Sequence, residues 1–168
     1  MQRRKDKIVI QSLGFPVVLR NVPMRKFRGE WEPDIDWNAL QHVVLLVLAH
    51  KPVSLTGNEV RFVRQFLEMT LKEFANACGL KSHQSVMNWE RKGDKPTGMR
   101  KSTEIVLRAR ILEALPDKLW ERLEESPHSP RETFSKRLAE VSDFDRGHEN
   151  VPIELLAQQG SELVYQYS

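Results

Sequence analysis

The sequence predicts a mainly α-helical fold with a small antiparallel β element at its N terminus. Residues 8–28 contain β-branched side chains clustered in two extended runs, which is typical of strands. After residue 36 the apolar residues recur at helical spacing, with capping residues before the runs and Gly or Pro after them. These patterns divide the chain into a β-plus-helix region at 1–53, a helical domain at 54–126 and an acidic C-terminal extension at 127–168.

The N-terminal region is expected to fold as a hairpin followed by a buried helix. Residues 14–16, Gly-Phe-Pro, separate the two extended runs as a turn. Asp36 predicts a helix N-cap, and the run behind it is almost wholly apolar from 43 to 49, so this helix should be buried on more than one side. We expect Trp31 and Trp37 to pack in the same core.

Residues 70–93 predict two short helices joined by a glycine turn, which is the pattern of a helix-turn-helix. Thr70 is expected to cap the first helix, with Glu73 completing a capping box. Gly79 ends that helix because it enters the left-handed region without a Cβ clash. Ser82 predicts the N-cap of the second helix, which ends at a Gly and a following Pro.

Two amphipathic helices are expected to flank this motif. Thr56 predicts the N-cap of the first, which should pack on the motif through Val60, Phe62, Val63, Phe66 and Leu67. The second follows a basic loop, and its predicted apolar stripe consists of Ile105, Val106, Ala109, Leu112 and Leu115.

The outward face of the second motif helix has the composition of a base-reading surface. Val86 and Trp89 should face inward, which turns the imidazole, amide and hydroxyl groups away from the core. Gln and Asn side chains pair bidentately with adenine, and His or Ser donates to base acceptors. The predicted base-reading residues are His83, Gln84, Ser85 and Asn88.

Positive charge is concentrated in two blocks although the net charge is only +3. Residues 1–30 carry eight Lys or Arg against two Asp or Glu, and residues 81–110 carry eight against three. Blocks of this kind suit a polyanionic partner. The predicted phosphate-binding residues are Lys81, Arg91, Lys92, Lys95, Arg100, Lys101 and, on the preceding helix, Arg64.

The segments TLKEFANACGL and SVMNWERKGDKP resemble the XRE family of phage Cro/repressor-like DNA-binding proteins. They match its Thr, x, x, Glu, apolar, Ala, x, x, apolar, Gly, apolar pattern and its aromatic-Glu-Arg-x-Gly ending. The resemblance implies a phage-repressor-like helical domain in which His83, Gln84 and Asn88 face the bases of double-stranded DNA. The chain departs from the family by one extra residue, most simply Lys81 in the turn, which bears on the register of those positions.

The segment LTGNEVRFVRQFLEMTLKEFANACGL is similar to the C-terminal half of MqsA-type antitoxins. Those proteins usually carry an N-terminal zinc module with two CxxC pairs, which this chain lacks, so we expect no cofactor. The resemblance implies a homodimer that binds a palindromic operator, represses its own operon and neutralises a cognate toxin. Two alternatives stay open: a stand-alone XRE-type repressor, and a protein-interaction module with a vestigial helix-turn-helix.

The sequence does not favour an enzyme, a metal site or a membrane protein. One Cys and five scattered His cannot supply the four close ligands of structural zinc, and no GxSxG, P-loop or dinucleotide motif is present. We therefore expect no catalytic residue and no metal ligand. Cys78 is predicted to be a small core residue. No apolar run is long enough for a membrane span, and a cytoplasmic protein is expected.

The C-terminal part is acidic and ends in an apolar tail. Residues 111–168 carry six Lys or Arg against twelve Asp or Glu. Helices are predicted at 116–126 and 131–141, with a Pro/Ser linker between them. The tail at 151–168 has three interpretations: a strap on the protein's own core or dimer, a toxin-binding segment, or a segment held by a SecB-like chaperone. The strap is favoured.

Overall fold

A computed structural model of the chain describes residues 3–116, 139, 141–146, 150–157 and 163–165. The chain divides into two compact units: unit 1 comprises Met1–Val47 and Pro152–Ser168, and unit 2 comprises Leu48–Val151. The sequence placed domain boundaries after residues 53 and 126, whereas the compact units divide after residues 47 and 151.

The described residues contain five strands and five helices, so the fold is α+β. The predicted mainly α-helical class is therefore wrong. The prediction failed at the C terminus, where residues 153–156 pair with residues 17–20 in one sheet. Pairing between segments so far apart in the sequence has no local periodic signal, unlike the i, i+4 pattern of a helix.

The sheet of unit 1 is built from both ends of the chain. Strand β1 (Arg4–Ile10) pairs antiparallel with β2 (Val17–Phe27), and the end of β2 pairs antiparallel with β3 (Glu30–Pro33). Strand β4 (Ile153–Ala157) lies parallel to the start of β2, and β5 (Leu163–Tyr165) lies antiparallel to β4. The predicted antiparallel element is thus part of a mixed sheet with the order β1-β2-β4-β5.

The tail predicted at 151–168 contributes β4 and β5 to this sheet, as the strap interpretation requires. Ile153, Leu155 and Ala157 are buried. Glu154 forms an ion pair with Arg20 of β2, with 2.5 Å between Oε1 and Nε. The toxin-binding and chaperone-binding interpretations of this segment remain predictions.

Helix α1 (Trp37–Ala49) begins at the predicted cap, and residues 43–49 are all buried, as expected. Asp36 Oδ1 accepts hydrogen bonds from the amides of Asn38 and Ala39 at 2.9 and 3.1 Å. The expectation that Trp31 and Trp37 pack in the core was wrong, because each is 45% exposed.

Unit 2 contains helices α2 (Gly57–Phe66), α3 (Leu71–Ala77), α4 (Gln84–Glu90) and α5 (Lys101–Ala114). The predicted caps at Thr56 and Thr70 are confirmed, and each forms a capping box, with Glu59 and Glu73 respectively. Helix α4 packs against both α2 and α3. The predicted helices at 116–126 and 131–141 fall almost wholly outside the described residues.

The buried stripe of α5 matches the predicted one only at Leu112 and Leu115. Val106 is 40% exposed, and Glu104, Leu107, Arg108, Ile111 and Leu112 are buried. The prediction from apolar spacing missed part of the buried face, because two of the buried positions are charged. Such residues are buried only when they are paired.

Arg108 and Glu104 form a buried ion pair that organises the start of unit 2. Arg108 Nη2 lies 3.0 Å from Glu104 Oε1, and the two side chains are 1% and 0% exposed. The Arg108 guanidinium also donates to the carbonyls of Lys51 and Val53 at 2.5 and 2.7 Å. Glu104 Oε1 in turn accepts the amide of Leu55 at 2.7 Å. The pair therefore holds the segment between α1 and α2 through both its carbonyl groups and an amide group.

A second buried pair joins Lys51 to the start of α2. Lys51 Nζ donates to both carboxylate oxygens of Glu59, at 2.7 and 2.8 Å, and to Asn150 Oδ1. Burial lowers the pKa of Lys51, while the adjacent Glu59 carboxylate acts in the opposite direction. Glu59 Oε2 also accepts the amide of Thr56, so the pair and the α2 cap share one carboxylate.

Residues 141–146 lie against α5 and the segment before α2. The Phe144 ring lies 3.9 Å from the Arg108 guanidinium, and the Phe144 carbonyl accepts a hydrogen bond from Lys101 at 3.3 Å. Ser54 and Asp145 are joined by a backbone hydrogen bond of 3.0 Å. Part of the acidic C-terminal region is therefore integral to unit 2.

Among the described helices, none has the length and apolar character needed to cross a bilayer.

Arg108→Met should lower the free energy of unfolding by about 3–5 kcal/mol, because Glu104 would remain buried without its cation. Arg110→Met on the same helix is the matched control: Arg110 pairs with Glu113 at 3.0 Å, but its side chain is 54% exposed. That change should cost less than about 1 kcal/mol. Urea unfolding of both variants measures the difference, and equal small losses would contradict the role assigned to Arg108.

Candidate nucleic-acid interface

The ending of α3 has the geometry that the sequence predicts. Gly79 has φ +73°, and the amides of Gly79 and Leu80 donate to the carbonyls of Asn76 and Ala75 at 3.0 and 2.9 Å. This is a Schellman ending of α3. Ser82 Oγ accepts the amide of Gln84 at 3.2 Å. The N-cap of α4 is nevertheless His83, which forms no side-chain capping hydrogen bond, so the predicted cap at Ser82 was one residue too early.

Helix α4 is buried on one side and polar on the other. Val86 is fully buried and Trp89 is 8% exposed. His83, Gln84 and Asn88 are exposed, and Ser85 is half-buried. The predicted base-reading residues are therefore adjacent to one another on or next to α4, and three of the four are open to solvent.

The amides of Gln84 and Asn88 interact with each other. Gln84 Nε2 donates to Asn88 Oδ1 at 3.3 Å across one helical turn. Both side chains keep further donor and acceptor positions, because a carboxamide has two N–H groups and an oxygen with two lone pairs. The pair thus presents a partly ordered amide surface with unused hydrogen-bonding capacity.

Glu90 fixes the C-terminal end of α4 to α2. Its carboxylate, 8% exposed, accepts hydrogen bonds from Arg64 at 2.6 and 3.2 Å and from Arg61 at 3.3 Å. Arg64 also donates to the Met69 carbonyl at 3.1 Å. The Arg64 guanidinium thus binds groups within unit 2, whereas the sequence predicted that it binds phosphate.

The first residue of α2 contacts the end of α4 so closely that only glycine fits. A Cβ on Gly57 would lie 2.4 Å from the Trp89 carbonyl oxygen and 2.8 Å from the Gly93 nitrogen. The amides of Gly57 and Asn58 donate to the carbonyls of Lys95 and Gly93, at 3.2 and 2.8 Å. Two amides of the first turn of α2, which have no partner within their own helix, therefore bind the chain that leaves α4.

The predicted phosphate-binding side chains differ in their surroundings. Five residues of this set are exposed and form no hydrogen bond or ion pair with another described side chain: Lys81, Arg91, Lys92, Lys95 and Arg100. Lys101 is exposed but donates to the Phe144 carbonyl, and its ammonium lies 5.1 Å from the Phe144 ring centroid. Asp94 lies in the same loop as a single opposing charge.

Sequence reasoning did not assign structural roles to Gly57 and Glu90. Gly57 occurs at the N terminus of a helix, where glycine is common for many reasons. Glu90 follows a buried tryptophan. Its position in the sequence does not indicate a buried ion pair, because its partners Arg64 and Arg61 lie on another helix. Both residues occur in the sequence segments quoted above, but the contacts that explain their roles join residues from different helices.

Cys78 is buried at the end of α3, as predicted. Burial raises the pKa of its thiol to about 11, so the thiol is protonated near neutral pH and is a poor nucleophile. It lines an open apolar groove of about 320 Å³ between α3 and α5, together with Leu67, Met69, Phe74, Ala77, Leu107, Arg110, Glu113 and Ala114.

The described part of the chain contains no group of three or more His, Cys, Asp or Glu placed to bind a metal ion.

Comparisons with known proteins return no match: no family model, no curated protein and no solved structure is significantly similar to this chain.

Gly57→Ala should displace the end of α4 and lower the free energy of unfolding by about 1–3 kcal/mol, because the new methyl group meets rigid backbone. Asn58→Ala is the matched control, since the hydrogen bond from its position uses only the backbone amide. Thermal or urea unfolding measures the stability of each variant. Equal stability of Gly57→Ala and the wild type would show that the contact between α2 and α4 is looser than described.

Proposed function

We propose that this protein is a sequence-specific DNA-binding regulator of transcription, in which α3 and α4 form a helix-turn-helix. The observation that supports this most strongly is the exposure of His83, Gln84 and Asn88 on a helix whose opposite face is buried. Surface helices without a partner more often carry Lys and Glu at such positions. Carboxamides on an exposed helix face are the groups that recognise adenine in the major groove.

In the proposed complex α4 enters the major groove and its amides contact base edges. Gln84 and Asn88 each retain donor and acceptor positions beyond their mutual hydrogen bond, which is the requirement for bidentate pairing with adenine N6 and N7. His83 and Ser85 lie at the same end of the helix and supply further donors.

Phosphate contacts are assigned to the exposed basic residues around α4. Lys92 and Lys95 follow the helix directly, and Arg100 precedes α5. They set the orientation of the protein on the duplex without contributing sequence information. Arg64 is not included, because its guanidinium already binds Glu90.

A homodimer would place two copies of α4 in successive major grooves, about 34 Å apart along B-DNA. This arrangement requires a palindromic operator, since each subunit contacts one half-site. The resemblance of residues 54–115 to XRE and MqsA-type proteins supports such a dimer, and regulation of transcription would take place in the cytoplasm.

The finer proposal is that the protein is the antitoxin of a toxin–antitoxin operon, which represses its own promoter and binds a partner toxin. It is supported by the resemblance of the segment LTGNEVRFVRQFLEMTLKEFANACGL to MqsA-type antitoxins. Co-expression with the product of the adjacent gene tests it: co-purification and relief of growth arrest are expected. If the product of the neighbouring gene has no effect on growth and forms no complex with this protein, the result would favour a stand-alone repressor.

Gln84→Ala and Asn88→Ala should each weaken binding to the cognate operator by about 1–3 kcal/mol, because each removes one base contact. Binding to random duplex should stay almost unchanged. Gln65→Ala is the matched control, since Gln65 is an exposed residue of α2. Fluorescence anisotropy with a footprinted operator and a random duplex provides the measurement. Equal losses on both duplexes would contradict the base-reading role.

Lys95→Ala should weaken binding to operator and random duplex alike, because a phosphate contact carries no sequence information. The slope of log K against log salt should become shallower by about one unit. A salt titration on both duplexes measures this change. An unchanged slope would mean that Lys95 does not contact DNA.

A further inference from the structure

We infer that the arm formed by the end of β2 and by β3 is a second nucleic-acid contact, which binds single-stranded DNA by stacking a base on Trp31. The arm comprises residues 24–33, joined by a two-residue turn in which Arg28 and Gly29 have φ of 49° and 90°. Those angles belong to the tight turn of a regular hairpin. This inference rests on the proposed function only for the choice of DNA as the polyanion.

The arm carries exposed aromatic side chains with cations beside them. Trp31 is 45% exposed and Phe27 is 52% exposed. The Arg3 guanidinium lies 4.8 Å from the Trp31 ring centroid, and the Arg28 guanidinium lies 5.3 Å from the Phe27 centroid. Exposed rings combined with Arg are the elements of a base-stacking surface.

Two cations lie at Trp31 without a paired carboxylate among the described residues, and one of them, Arg3, lies over the ring itself. Lys26 lies directly opposite Trp31 in the hairpin register, so both side chains emerge on the same face. Arg25 is paired with Glu32 at 2.7 Å, which neutralises those two charges locally. Lys26 and Arg3 form no ion pair with other described residues, and residues 1–30 carry eight Lys or Arg against two Asp or Glu.

A single strand fits this surface better than a duplex or an acidic protein. A duplex offers base edges in its grooves, whereas an unpaired base offers the ring face that stacks on an indole. An acidic peptide would satisfy Lys26 and Arg3 but has no planar group for Trp31 unless it also supplies an aromatic residue. Flexible phosphates on either side of a stacked base match cations placed beside a ring.

The test uses the full chain and a labelled oligothymidylate of about 12 nucleotides, followed by fluorescence anisotropy. Trp31→Leu should weaken binding about tenfold, because it keeps apolar bulk but removes the ring. Trp31→Phe, which keeps a ring, should stay within about threefold of the wild type. Trp37→Leu is the matched control: Trp37 is also 45% exposed but lies on α1, and this change should have no effect.

Several results would overturn the inference. They are equal affinities of Trp31→Leu and wild type, a loss in Trp31→Leu that is as large on a duplex of the same length as on the oligothymidylate, and loss of affinity in Trp31→Leu and Trp37→Leu alike. Tighter binding of oligouridylate would overturn the assignment to DNA. Gln84→Ala separates this inference from the proposed function, because it should lose operator duplex affinity while keeping its affinity for the single strand.

Discussion

The buried ion pair between Arg108 and Glu104 is the constraint on which the geometry of unit 2 depends. Two ions are removed from water there, and only their close pairing together with hydrogen bonds to backbone groups offsets the desolvation cost. Those backbone groups belong to residues 49–55, from the last residue of α1 to the segment before α2, and are thereby held in place. The Leu55 carbonyl then accepts the amide of Thr97, which lies beyond α4.

This path continues to the proposed recognition helix. Thr56 caps α2, the amides of Gly57 and Asn58 hold the chain that leaves α4, and Glu90 ties α4 to two arginines of α2. The buried face of α4 is thus held at its C-terminal end by backbone and charged contacts, while its polar face faces solvent. If this face binds DNA as proposed, it needs little reordering on binding, which reduces the entropic cost of association.

Local chemistry could be predicted from the sequence, and pairing between distant residues could not. The caps at Asp36, Thr56 and Thr70 and the ending at Gly79 follow from short-range rules, and the structure confirms all four. The fold class was missed because β4 joins a sheet begun far away in the sequence. The stripe of α5 was predicted only in part for a related reason: a charged residue has no periodic signal for burial, and the backbone groups that Arg108 and Glu104 bind lie on another segment. Arg64 binds Glu90 of another helix, a contact that its own sequence position does not indicate, and its phosphate-binding role stays a prediction. Base-reading residues could be proposed because the polar face of α4 is a local pattern.

The central claim is that the carboxamides of Gln84 and Asn88 are exposed to water in the free protein and contact bases when DNA is bound. The most direct measurement follows their side-chain NH₂ resonances by heteronuclear NMR while duplex is added. We expect both pairs to exchange rapidly with water in the free protein, and to shift and become protected with the chain's own promoter fragment but not with a random duplex. Resonances that stay unchanged while operator binding proceeds, or that are already protected from water in the free protein, would contradict the account.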